Sequence, residues 1–237
     1  LHPEQAAAVA ALGEDLGTFR ATLLQGITGS GKTEVYLRVM EAVLEAGRQV
    51  LMLVPEIGLT PQTAQRLAAR LGAPVHTLHS GMAPGIRNQR WEASRSGAPM
   101  VLLGTRSSLF ASLPALGLII VDEEHDDSYK QQDGVRYSAR DVAVKRGALQ
   151  GCPVVLGSAT PSLETLENAR QGRYGHLRLH HRAGQAQAPT QRFVDLRKHA
   201  APEGFARPTL DAITETLARG AQALIFLNRR GYARALR

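Results

Sequence analysis

Cysteine is nearly missing from this chain: in 237 residues Cys152 stands alone. One thiol closes no disulfide within the chain and makes no metal site by itself, which excludes a disulfide scaffold and a cysteine-built zinc module. Beside the apolar run Pro153-Val154-Val155-Leu156 it reads as a buried small hydrophobe in a reducing cytoplasm. Long apolar runs are missing as well. No segment approaches the roughly 18 apolar residues of a membrane span, and the N-terminus has neither signal-peptide nor transit-peptide character, so no membrane partner is expected. There is no repeat at a solenoid period and no low-complexity tract beyond an alanine enrichment. An initiator methionine is also lacking, and the chain from Leu1 reads as an excised part of a longer protein.

What is present points to a globular α/β protein. With 43% hydrophobic residues the chain has enough apolar surface for a core, in one large or two small domains. The net charge of +7 is uneven: from Arg170 onward thirteen Lys and Arg face four Asp and Glu, which leaves the first 169 residues at about −2. A basic end suits a nucleic-acid footprint or a solvated face equally, and charge alone does not choose.

The run Gly26-Ile27-Thr28-Gly29-Ser30-Gly31-Lys32-Thr33 does choose. It follows the apolar Leu23 and Leu24 and opens a helix-like segment. Glycines at that spacing let the backbone curl its amides toward phosphate oxygens, and the helix N-terminus adds a favourable dipole. Lys32 would meet the β- and γ-phosphates and Thr33 the Mg²⁺ of a bound nucleoside triphosphate. A second signal is Leu118-Ile119-Ile120-Val121-Asp122-Glu123-Glu124-His125, a buried strand with acids at its carboxyl end. In a parallel sheet both motifs face one crevice beyond the strand ends. There Asp122 would hold Mg²⁺ and Glu123 would position and activate the attacking water.

The periodicity predicts helices over Pro3 to Leu12, Lys32 to Ala46, Pro61 to Leu71, Ala83 to Ser94 and Pro208 to Arg219. It predicts strands over Phe19 to Gln25, Gln49 to Val54, Val75 to Leu78, Met100 to Leu103, Leu118 to Val121, Val154 to Leu156 and Gln222 to Leu227. Alternation of this kind means a parallel sheet wrapped by helices, a RecA-like P-loop lobe. We place that lobe at residues 1–181, a linker at 182–207 and the opening of a second RecA-like lobe at 208–237. Trp91, at helical spacing from Ile86, is expected in the core.

Further strings carry a resemblance. Asp122-Glu123-Glu124-His125 after a P-loop resembles the DExH helicases of superfamily two. Leu53-Val54-Pro55-Glu56-Ile57-Gly58-Leu59-Thr60-Pro61-Gln62 looks like motif Ia, Gly104-Thr105-Arg106-Ser107-Ser108-Leu109-Phe110 like motif Ib, and Gly157-Ser158-Ala159-Thr160-Pro161-Ser162 like motif III. With Ser128-Tyr129-Lys130-Gln131-Gln132 and Asn228-Arg229-Arg230-Gly231-Tyr232, the chain is similar throughout to the replication-restart helicases of that superfamily.

The resemblance implies an ATP-dependent DNA helicase that uses ATP and Mg²⁺ and moves 3′ to 5′ at stalled or collapsed forks. It implies single-stranded and branched DNA, primosome proteins and single-stranded-DNA-binding proteins as partners, and a monomer. In such helicases Gln5 would recognise adenine, against the alternative of an ordinary exposed helix glutamine. His125, Ser158, Ala159 and Thr160 would couple the nucleotide to DNA. Thr105 and Arg106 would contact DNA phosphates, with Glu56 to Gln62 along the same track. Tyr129, Lys130, Gln131, Gln132, Arg136 and Tyr137 would form an aromatic-rich loop on single strands, stacking on bases without regard to sequence. Val135 departs from that pattern, where relatives often carry an aromatic. The arginine finger and the zinc-binding cysteines of such proteins lie outside these residues, so zinc belongs to the parent protein alone. A duplex-DNA translocase and a nucleotide-switched binding module remain the rival readings; the first should lack the Ser128 to Gln132 and Asn228 to Tyr232 strings, and the second has no use for Glu123.

Overall fold

A computed structural model describes residues 1–55, 61–182, 190–199, 201 and 204–226. The backbone divides into two compact units, Leu1–Ala186 and Gln187–Arg237. The first is built on a seven-stranded sheet in which every pairing is parallel: β1 (Ala21–Gly26), β2 (Gln49–Leu53), β3 (Val75–Leu78), β4 (Val101–Gly104), β5 (Leu116–Asp122), β8 (Val154–Ser158) and β9 (Gly175–Leu179). The order across the sheet is β3-β4-β2-β5-β8-β1-β9. Two short antiparallel strands, β6 (Lys130–Gln131) and β7 (Tyr137–Ser138), form a separate ribbon.

Strands buried on both faces read as continuous apolar runs, and here alternate side chains go to two cores. Val50, Met52, Leu118 and Ile120 pack with Val35, Tyr36, Val39 and Met40 of α2 (Lys32–Glu45) and with Ala8 and Leu12 of α1 (Pro3–Glu14). Leu51, Leu53, Ile119 and Val121 pack on the opposite face with Tyr129 and with Ala139 and Ala143 of α5 (Ala139–Gln150). Helices α3 (Pro61–Leu71), α4 (Pro84–Arg95) and α6 (Leu163–Arg170) complete the layers. Cys152 is buried, as the sequence suggested.

Several expectations change. Trp91 is only half-buried against the second core and Ile86 is exposed, because α4 packs mainly on the edge strand β3. Strand β9 joins the edge of the sheet beside β1, although Gly175-His176-Leu177-Arg178-Leu179 carries only two large apolar residues and so does not stand out. In the second unit α7 (Arg207–Ala218) forms, but residues 221–226 pair with no strand among the described residues, and Leu224 and Phe226 are exposed. An apolar segment without a ladder to join does not become a strand. Leu227 to Arg237, and Glu56 to Thr60 of the motif Ia string, lie outside the described residues.

Candidate nucleotide site and helicase motifs

The P-loop leaves β1 at Gly26 and enters α2 at Lys32, with Gly29 and Gly31 at φ 81° and 82°, left-handed angles that a side chain resists. A Cβ on Gly26 would overlap Ser30 Oγ. Lys32 Nζ donates to Gly26 O at 3.0 Å and lies 3.6 Å from Glu123 Oε1. Ile27, Thr28, Gly29 and Thr33 are exposed, whereas Ser30 is buried and its hydroxyl has no hydrogen-bond partner among the described residues. An orphaned hydroxyl among inward-curled amides, beside a lysine, fits phosphate oxygens.

Gln5 is buried, not exposed on its helix. Its Nε2 donates to Ser30 O at 3.0 Å and its Oε1 accepts from His2 N at 2.9 Å, so α1 props the P-loop from behind.

Across the crevice β5 ends at Asp122. Burial raises its carboxyl pKa above the usual aspartate range, and donation from Tyr36 Oη to Asp122 Oδ1 at 2.9 Å works against that shift. Tyr36 can reach because Gly157 has no Cβ, which would overlap the phenol oxygen. Burial and the neighbouring Asp122 charge raise the Tyr36 pKa far upward, so it stays a donor. Glu123 then turns the chain at φ 47°, the one non-glycine residue in the left-handed region among the described residues. Such strain persists only where surroundings enforce it: Glu124 N donates to Gly157 O at 3.0 Å and Asp126 N to Glu123 O at 2.9 Å. The turn leaves the Glu123 carboxylate between Lys32 and His125, whose Nδ1 is 3.6 Å from Glu123 Oε2. A lysine, a buried carboxylate for a cation and a half-exposed carboxylate thus face one crevice.

A family model for DEAD/DEAH box helicases matches residues 2–169. This chain belongs to that family. The helicase is similar to the replication restart protein PriA of Haemophilus influenzae, 48% identical over 218 residues, 92% of this chain and 30% of that protein. It is similar also to PriA of Bacillus subtilis, 42% identical over 238 residues, 98% of this chain and 30% of the relative. The chain therefore spans about a third of the length of these curated relatives. Its fold is that of RecG in a structure bound to a three-way DNA junction, at TM-score 0.60 and 21% identity over 93% of this chain and 28% of RecG. The Hef helicase domain of Pyrococcus furiosus superposes at TM-score 0.53 and 24% identity, over 74% of this chain and 37% of Hef.

In the helicase, β8 lies between β1 and β5, with Ser158 paired to Gln25 and Gly157 to Asp122. Ser158 Oγ meets His125 Nδ1 at 2.7 Å and accepts from Thr160 N at 3.0 Å, while Thr160 Oγ1 meets His125 Nε2 at 3.3 Å. Ala159 faces Gly26 and Ile27 across a cleft of about 320 Å³. His125, Ser158, Ala159 and Thr160 therefore connect the acids to the P-loop side. Glu124, given no role by the sequence, is buried and accepts from Ser162 N (2.7 Å), Ser162 Oγ (3.0 Å), Thr165 Oγ1 (3.0 Å) and Arg140 Nη1 (3.3 Å). It locks the acidic turn to α6 and α5; three successive acids gave no sign of which one points inward.

The residues expected on DNA divide. Tyr129 is buried and its Oη donates to Asp122 O at 2.6 Å, so its ring offers no face to a base. Thr105 is buried at the end of β4, out of reach of a phosphate. Arg106 donates from Nη1 to Ser128 O and Lys130 O at 3.0 and 3.1 Å, holding the loop instead of standing free. Lys130, Gln131, Gln132, Arg136 and Tyr137 do line one open cleft of about 600 Å³. Tyr137 stacks edge-on against the exposed Phe110, centroids 5.3 Å apart, and Val135 is exposed at the loop tip.

Proposed function

We propose that this chain is the ATP-hydrolysing motor lobe of a DNA helicase that acts at stalled or collapsed replication forks, moving 3′ to 5′, in replication restart and primosome assembly. The observation that carries the reading is the continuous path from Lys32 through Glu123 and His125 to Ser158, at 3.6, 3.6 and 2.7 Å. Phosphoryl transfer needs positioning and charge neutralisation more than covalent chemistry. Lys32 brings its ammonium to the phosphates, Ser30 offers its free hydroxyl, and Gln5, its amide engaged by Ser30 O and His2 N, steadies Ser30 instead of presenting itself to adenine. Thr33 and Asp122 hold Mg²⁺, which when bound neutralises charge on the β- and γ-phosphates. Glu123 orients water and takes its proton on the carboxylate. His125 and Thr160, hydrogen-bonded to Ser158, transmit the state of this crevice along β8.

Lys130, Gln131, Gln132, Arg136 and Tyr137 contact single-stranded and branched DNA through phosphates and one stacking ring, which favours no sequence. The working protein is a cytoplasmic monomer that meets primosome proteins and single-stranded-DNA-binding proteins, with zinc held elsewhere in the parent. Because the finger arginine is supplied by other residues, this chain binds nucleotide but turns it over slowly, the deficit being about 10³ to 10⁵-fold.

The test is ATP hydrolysis by the full-length parent with no DNA, blunt duplex, single strands and a fork bearing a 3′ nascent end. Strongest stimulation by the fork supports the reading; stimulation by plain duplex points to a translocase and none by any DNA to a nucleotide switch. Glu123→Gln should abolish turnover and spare ATP binding, and unchanged turnover removes Glu123 from its role.

A further inference from the structure

At the edge of the first unit, next to the cleft that Gly26, Ile27 and His180 line, two imidazoles and a carboxylate converge. His2 precedes α1, Glu4 sits in its first turn, and His181 follows β9; one ligand atom from each lies within 4.8 Å of the others. Among the described residues this is the one group of three His, Cys, Asp or Glu side chains so placed. We propose that His2, Glu4 and His181 form a binding site for a transition-metal dication of the zinc class.

The carboxylate is already oriented. Glu4 Oε2 accepts from His180 N at 2.8 Å and from His181 N at 3.2 Å, which leaves Oε1 against His181 Nδ1 at 2.8 Å. Backbone donors that fix a ligating carboxylate are the outer-shell support metal sites use. A metal would take the place of the hydrogen bond between Oε1 and Nδ1, any proton held there passing to solvent. The His2 ring is exposed, its centroid 5.3 Å from that of His181. Ligands at about 2.0–2.2 Å in a tetrahedron lie roughly 3.4 Å apart, so closing the group asks only for side-chain rotation. The positive end of α1 opposes a cation, and the Glu4 charge in its first turn offsets that.

Two imidazoles and one carboxylate suit Zn²⁺ and Co²⁺ and discriminate against Mg²⁺, which prefers an all-oxygen shell. Three protein ligands leave a fourth position to water. The site would staple the start of α1 to the chain leaving β9. Since Gln5 on α1 holds Ser30, the staple sits directly behind the P-loop.

The test is titration of the full 237-residue chain with Co²⁺ in excess Mg²⁺, followed by visible absorption. One Co²⁺ per chain, displaced by one Zn²⁺, is the expected result. Glu4→Gln and His181→Gln should each weaken Co²⁺ at least 10 to 100-fold, since even outer-shell changes cost that much. His79→Gln, at the opposite edge of the sheet, should change nothing. Circular dichroism and nucleotide binding identify any variant that has lost its fold, and a second substitution, Glu4→Ala, then replaces it. Absence of a displaceable Co²⁺ overturns the proposal. So does binding that survives both Glu4→Gln and His181→Gln, because the ion would then sit on other groups.

Discussion

The Tyr36, Asp122 and Gly157 triangle makes a prediction with a sign that simple packing does not share. Tyr36→Phe removes a buried hydroxyl donating at 2.9 Å to a carboxylate, and hydrogen bonds to charged groups contribute about 1.5–3 kcal/mol. For a chain of this size that lowers Tm by about 3–12 °C. Gly157→Ala places a Cβ over the Tyr36 hydroxyl and 2.8 Å from its ring Cζ, an overpacking that costs about 1–3 kcal/mol and expels the phenol from Asp122. Once it is expelled, the hydroxyl has nothing left to lose. In the Gly157→Ala background Tyr36→Phe should therefore cost about zero or restore stability, giving a coupling of about 1.5 kcal/mol or more. Urea denaturation of the four proteins, followed by far-ultraviolet circular dichroism, measures it. Costs that add within about 0.5 kcal/mol, as independent sites do, refute the reasoning.

Ser30→Ala removes an orphaned buried hydroxyl and should raise stability by about 1 kcal/mol in the absence of nucleotide while weakening Mg-ADP; denaturation with and without ADP reads both signs. Tyr129→Phe should cost about 1 kcal/mol in urea and leave single-strand affinity unchanged in fluorescence anisotropy, since the hydroxyl holds Asp122 O and the ring is buried. Asp122→Asn keeps an acceptor for Tyr36 and should raise Tm at neutral pH, measured in chelator. Burial raises the folded Asp122 pKa, so the native state binds the proton more tightly than the unfolded chain, whose value is near 3.8. Wild-type stability then falls as pH rises from about 3.8 through the folded value. The advantage of Asn should grow over that window and level off above it; an advantage independent of pH is the contrary result.

The geometry of the crevice was legible because its residues are placed locally. P-loop glycines and strand-terminal acids sit within a few residues of the backbone that aims them, and β2, β3 and α3 start where their patterns start. Residues whose role depends on which way they face were not legible. Tyr129 lies among polar residues yet turns inward, because Asp122 O accepts from its hydroxyl and the α5 face packs against its ring. Arg106 is taken by carbonyls 22 and 24 residues away, and Glu124 by groups on two helices. Helix α5 hid behind weak amphipathicity, although Ser138 at its start and Gly151, at φ 63°, at its end were readable caps. Strand β9 is short and carries only two large apolar residues, too few to separate it from the linker that follows.

The place of β8 between β1 and β5 works as a gauge block. Neighbouring strands stand about 4.8 Å apart, so one intervening strand sets β1 and β5 roughly 9.6 Å apart, with Leu24 in register with Asp122 and Gly26 two residues further along. No side-chain substitution adjusts that width, because the ladder of main-chain hydrogen bonds sets it. Evolution of such a lobe is free to change what stands on the two jaws, but the caliper between them is ruled by the backbone.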